Sequence, residues 1–113
     1  MTLTEFDNKY DFHDSSLESI CFDQDNNILE MNIDFCFWMQ TDYIKTSPEI
    51  GMIKLIFKDV QSFNGESVNY KNVTILKVNV SSHHQITFYT LDEDKDEFIE
   101  LTIVANAVDF VVP

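Results

Sequence analysis

From Leu29 to Met39 every second residue is apolar: Leu29, Met31, Ile33, Phe35, Phe37 and Met39, with Glu30, Asn32, Asp34 and Cys36 filling most of the gaps. Such a run follows a period of two, which describes a half-buried strand and fits the 3.6-residue helical period poorly. Just upstream, Ile20 and Phe22 alternate with Ser19, Cys21 and Asp23. A shorter strand therefore leads into Asn26-Asn27, and asparagine's tolerance of positive φ predicts a two-residue type I′ turn there. With Asp25 facing Ile28 across that turn, Phe22 falls opposite Met31 and Ile20 opposite Ile33, apolar against apolar.

The same period recurs downstream. Ile53, Leu55 and Phe57 alternate with Lys54, Ile56 and Lys58, predicting a third strand over 52–60, after a connection marked by Pro48 and Gly51. Phe63-Asn64-Gly65-Glu66 predicts a turn from its Asn-Gly pair. Over 73–80, Leu76, Val78 and Val80 keep step while Val73 and Ile75 do not, which predicts a strand with a bulge. A polar turn at 81–85 separates it from a strand over 86–91. The acidic stretch 92–97 then precedes a strand over 98–106, with Ile99, Leu101, Ile103 and Ala105 on one face. Val108, Phe110 and Val112 continue that strand or add to it. Ser15 and Glu18 match a capping box for one helical turn, and residues 1–11 are expected to form a loosely ordered arm. Links this short join antiparallel neighbours. The prediction is a single domain over 1–113, all-β or β-dominated: one antiparallel sheet, roll or sandwich of about six strands with at most one short helix. Its core is expected to include Ile20, Phe22, Met31, Ile33, Phe35, Leu55, Phe57, Leu101 and Ile103.

Composition agrees, with ten Phe, four Tyr and one Trp against two Gly and two Pro. Charge changes the picture more. The formal net charge is −13 and every basic residue is Lys, with −9 over residues 1–42, +2 over 43–91 and −6 over 92–113. Such a surface excludes nucleic acid and anionic membranes as partners and suits either solubility or a basic protein partner. No apolar run approaches the ~18 residues of a membrane span, and the first residues lack the pattern of a signal peptide. In the predicted register Cys36 lies opposite Leu17 and Cys21 opposite Asn32, roughly 13 Å apart along the sheet. A disulfide needs Cα atoms within about 7 Å, so both thiols are expected to be free and the protein cytoplasmic.

Candidate chemistry is sparse. Asp92, Asp94 and Asp96 occupy the first positions of a calcium loop, but Glu97 and Ile103 stand where Gly and Glu belong, and an attempt from Asp23 puts Ile28 at the Gly position. His83 and His84 are adjacent, so their rings point to opposite sides of an extended chain. Acids surround both cysteines and favour the neutral thiol. Two separated glycines build no phosphate loop. No metal, cofactor or catalytic group is therefore assigned. His13-Asp14 offers a base with an orienting carboxylate, an alternative pocket if His83 or His84 joins it. On the outer face of the hairpin, Asp23, Glu30, Asp34 and Trp38 are expected together, with Asp23 opposite Glu30. An aromatic beside acids is the arrangement of an anchor with a charged rim.

The segment Phe12-His13-Asp14-Ser15, followed by the hairpin and by the ending from Phe98 to Phe110, resembles small bacterial proteins of uncharacterised families, some grouped as immunity proteins of polymorphic toxin systems. That resemblance implies an acidic, cytoplasmic, non-catalytic protein that binds a cognate toxin. Two alternatives stand beside it: a small enzyme or ligand-binding β-roll using His13 and Asp14, and a structural or oligomeric module without a ligand. A pocket containing His13 favours the former; an exposed acidic face around Trp38 favours the binding reading.

Overall fold

The computed structural model describes residues 1–41, 43–44 and 49–113; Pro48 lies outside the described residues. Among them one helix, α1 (Leu3–Lys9), is followed by β1 (Ser16–Asp23), β2 (Ile28–Cys36), a 3₁₀ turn (Phe37–Met39), β3 (Ile50–Lys58), β4 (Ser62–Phe63), β5 (Val68–Ser82), β6 (Gln85–Asp92), β7 (Glu97–Val104) and β8 (Ala107–Val111). All eight strands join one sheet in the order β4-β7-β6-β5-β1-β2-β3-β8, and every pairing is antiparallel. The two beyond the expected six are the two-residue β4 and β8, which is separate from β7.

The sheet is rolled. In a flat sheet β3 and β6, four strand spacings apart, would be separated by roughly 19 Å, yet the rings of Phe57 and Phe88 meet at 6.2 Å. Its two ends come together at one corner. The chain bends between β3 and β4 at Asp59, whose φ is 52°, and between β7 and β8 at Ala105-Asn106. The Asn106 amide donates to the Lys58 carbonyl at 3.1 Å and the Gln61 amide to the Val104 carbonyl at 2.7 Å, carrying the ladder through both bends. Strands that change direction in this way make the corners of orthogonally packed sheets.

Eight of the nine expected core residues are buried, and Phe22 is half-buried with its ring edge-on to Phe63 at 6.1 Å. The register of the first hairpin differs from the prediction. Four residues make the turn, because the Asp23 carboxylate accepts from the amides of Asp25 and Asn26 at 3.1 and 3.2 Å, and Asn27 takes the positive φ of 56°. Phe22 therefore pairs with Leu29, Ile20 with Met31 and Cys21 with Glu30, while Cys36 pairs with Ile50 on β3. The slip is two residues, so each side chain keeps its face. A bulge between Leu17 and Ser19 then turns both Leu17 and Ile20 inward. The bulge expected in 73–80 falls between Ile75 and Lys77. Both cysteines are free, Cys21 exposed and Cys36 buried.

Three local expectations are corrected. Residues 1–11 form no loose arm: Thr2 and Glu5 make a reciprocal capping box, and Leu3 and Phe6 on one face of α1 are fully buried. Ser15 and Glu18 cap nothing, because the chain is already extended from Ser16. Gly51 belongs to β3 rather than to a connection, paired with Phe35; its missing side chain leaves room for the Phe37 ring, which a Cβ would meet at 3.1 Å.

Candidate functional site

The segment 12–15 is held at every residue. Phe12 is buried among Phe6, Phe35 and Phe88, with ring centroids 5.2, 5.0 and 6.2 Å away. Asp14 adopts φ 66°, and its amide donates to the Ile75 carbonyl at 3.0 Å. Ser15 is wholly buried; its carbonyl accepts from the Ile75 amide at 2.7 Å and its hydroxyl oxygen from the Cys36 amide at 3.0 Å. Gln40 joins the same corner by accepting from the Asp11 amide at 2.9 Å and donating to the carbonyls of Asp11 and Cys36 at 2.7 and 3.0 Å.

His13 faces the β5 bulge. Its Nδ1 lies 2.9 Å from the Leu76 carbonyl, an acceptor, so Nδ1 carries the proton. Its Nε2 faces the Asp14 carboxylate at 3.5 Å. The carbonyl bond, with Asp14 and Asp11 beside it, raises the imidazole pKa above its ordinary value. A groove of about 430 Å³ runs past His13, lined also by Asp7, Tyr10, Asp11, Gln40 and Lys77. The fold thus places His13 beside a groove, as the enzyme reading asks. However, both ring nitrogens face acceptors, which favours the imidazolium and leaves no lone pair aimed at a substrate. His83 and His84 sit in the exposed turn at the far end of β5, roughly 20 Å along the strand from Leu76.

The raised pKa has a sign. The charged contacts of His13 stabilise the fold fully below the ordinary histidine pKa of about 6.5, and that stabilisation is lost as pH rises through the higher folded value. Thermal melts of the protein and of His13→Ala are therefore expected to differ more at acidic than at alkaline pH; a pH-independent difference would show that the charge contributes nothing.

On the outer face of the first hairpin the expected quartet is not gathered. Asp23 pairs with Ile28 at the turn, not with Glu30, and its carboxylate is occupied by the turn amides and by the Asn26 side chain at 2.7 Å. Those bonds lower its pKa. The Asp92 carboxylate closes the second acidic turn, accepting from the amides of Asp94 and Lys95 at 3.1 and 3.2 Å. Among the described residues no group of three or more His, Cys, Asp or Glu is arranged to hold a metal ion. Glu30 lies mid-strand with its carboxylate 3.5 Å from Lys54 Nζ.

Asp34 and Trp38 remain at the other end, where sequence reasoning missed two companions. Trp38 stands in the 3₁₀ turn with its amide on the Glu49 carbonyl at 3.2 Å and its indole against the Cys36 thiol, and its exposure is 47 %. Ile50 pairs with Cys36 and Met52 with Asp34, and these two side chains are 53 % and 45 % exposed. Their signal was present: 50 and 52 continue the solvent-facing positions of the β3 alternation. The result is an aromatic and two aliphatic side chains at one end of β2 and β3, with Asp34 and Glu49 beside them. Burial raises the Cys36 thiol pKa, which favours the neutral, less reactive thiol. No helix of the described residues is long and apolar enough to cross a membrane.

Compared with protein-family models, with curated proteins and with solved structures, the chain finds no match.

Proposed function

We propose that this protein is a non-catalytic domain that binds a basic protein through the Trp38 end of β2 and β3, acting in the cytoplasm as an immunity protein against a toxin. The observation that carries the reading is Trp38, 47 % exposed, at the same end of β2 and β3 as the exposed Ile50 and Met52. Monomeric proteins rarely leave an aromatic and large aliphatics together in water unless a partner covers them. The partner's charge follows from the −13 of the chain and from Asp34 and Glu49 beside the patch. Two free thiols suit a reducing compartment, and the Phe12-His13-Asp14-Ser15 resemblance supplies the immunity reading.

The test is binding kinetics against the product of the adjacent gene at two salt concentrations. Trp38→Ala is expected to speed dissociation by about tenfold or more, since a desolvated aromatic holds a complex once formed. Asp34→Asn is expected to slow association and flatten its salt dependence, because exposed charges act within about 8 Å at physiological ionic strength. Glu30→Gln is expected to do less, as Lys54 already offsets that charge. A complex indifferent to salt and to all three changes would place the binding surface elsewhere.

A further inference from the structure

The other end of the sheet carries an incomplete ladder. Strand β4 covers β7 only at Ile103 and Val104. Beyond it the Asn64 side chain takes over. Its Oδ1 accepts from the Thr102 amide at 2.8 Å, its Nδ2 donates to the Glu100 carbonyl at 3.3 Å, and the Asn64 amide donates to the Thr102 carbonyl at 3.3 Å. The backbone groups of Thr102 thus point away from β6. Since β6 and β7 pair without a register shift, the alternation of an antiparallel ladder points those of Glu100 and Phe98 the same way. Among the described residues nothing bonds to the Glu100 amide or to the amide and carbonyl of Phe98. The Phe98 side chain is 77 % exposed, the highest among the large apolar residues described. On the concave side of this edge, beside Ile99, lies a cavity of about 360 Å³ lined by Val68, Tyr70, Val73 and Ile99 together with two Asp and two Lys side chains.

We infer that the free edge of β7 from Glu97 to Leu101 is a docking site for an extended, basic segment of another protein, which adds to the sheet as a strand. Three unpaired backbone groups on one edge are what strand addition uses for affinity. The alternating side chains of an added strand would fall on two faces. One set enters the cavity beside Tyr70 and Ile99, and the other lies against Phe98 and Glu100, where a lysine or arginine gains both the carboxylate and the aromatic face. Charge decides against a second copy of this chain. Two β7 edges in antiparallel pairing would bring Glu97, Glu100 and the acidic turn 92–97 of each copy against the other, and like charges across a ladder are destabilising. This inference rests on the β7 edge alone and not on the Trp38 surface, so either can fail without the other.

The probe is a blocked peptide of alternating lysine and valine, titrated into the full chain while amide exchange is followed by NMR. Saturable binding is expected, with the amides of Phe98 and Glu100 exchanging fast in the free protein and protected in the complex. The same peptide N-methylated at every second residue is expected to bind about tenfold more weakly or worse, because it cannot complete the ladder, and a glutamate-for-lysine peptide is expected not to bind. Glu100→Pro should abolish binding while leaving the circular dichroism unchanged, since the amide it removes serves no bond within the fold; if that variant does not fold, the N-methylated peptide decides. No saturable binding, protection confined to other amides, equal binding of the methylated or acidic peptide, or dimerisation of the protein through β7 would each overturn the inference.

Discussion

Replacing Phe6 with Ala is expected to destabilise the protein by about 3–5 kcal/mol, the range for removing a fully buried aromatic from a packed core. Phe6 has no exposed surface. Its ring meets Tyr10 at 5.7 Å, Phe12 at 5.2 Å and Phe57 at 6.5 Å, so truncation would leave a cavity bounded by aromatics from the segment that follows α1 and from β3. Such rings cannot collapse into it without leaving their own partners: Tyr10 is stacked on Phe110 at 4.1 Å, and Phe12 packs on Phe35 at 5.0 Å. Against a total stability of roughly 5–15 kcal/mol the loss is large, and urea denaturation would register it as a lower midpoint. Phe35→Ala, on the central strand, is expected to fall in the same range. A loss below about 1 kcal/mol for Phe6 would mean that α1 is not docked, because surface substitutions rarely cost more.

Ser15→Ala is expected to cost about 1–3 kcal/mol, although it removes a single oxygen. That oxygen accepts from the Cys36 amide at 3.0 Å, and both residues are buried. Alanine would leave the amide in the interior without an acceptor, and the penalty is the desolvation of that group rather than the modest net value of one bond. The backbone bonds of Ser15 to Phe12 and Ile75 do not involve the side chain, so the strand entry itself should persist. Ser16→Ala serves as the comparison: Ser16 is only partly buried and its hydroxyl makes no hydrogen bond among the described residues, so a change within about 0.5 kcal/mol is expected. Equal effects of the two substitutions would show that the Ser15 hydroxyl does not hold the end of β2.

Much of the fold was legible because strand patterning is a question of faces. Met31, Ile33, Phe35, Leu55, Phe57, Leu101 and Ile103 had to share one side of a sheet, and they are buried. The bulge near Leu76 was legible too, because Val73 and Ile75 broke step with what followed. The hairpin register was not, since a slip of two residues leaves every side chain on its own face and the apolar pattern is blind to it. The Asp23 carboxylate settled it by capping a four-residue turn. The signs of α1 were there to be read, in the Thr2 and Glu5 capping box and in the spacing of Leu3, Phe6 and Tyr10. A seven-residue helix is nevertheless unstable by itself, and only the aromatic core beneath it makes it form.

The candidate surface divides along the same line. Alternation alone put Asp34 outward and marked Trp38 as a large aromatic near acids, but it also put Asp23 and Glu30 beside them. The tertiary structure separated these, because the turn occupies one carboxylate and Lys54 meets the other. It supplied Ile50 and Met52 in their place by starting β3 at Ile50 and pairing it with the end of β2. What the sequence by itself determined was which face of each strand is apolar, because a period of two is a local property of the backbone. Which strands meet, where the sheet rolls and which exposed side chains gather at one end were decided only by contacts between distant segments, whose energies depend on shape and register that no local pattern encodes.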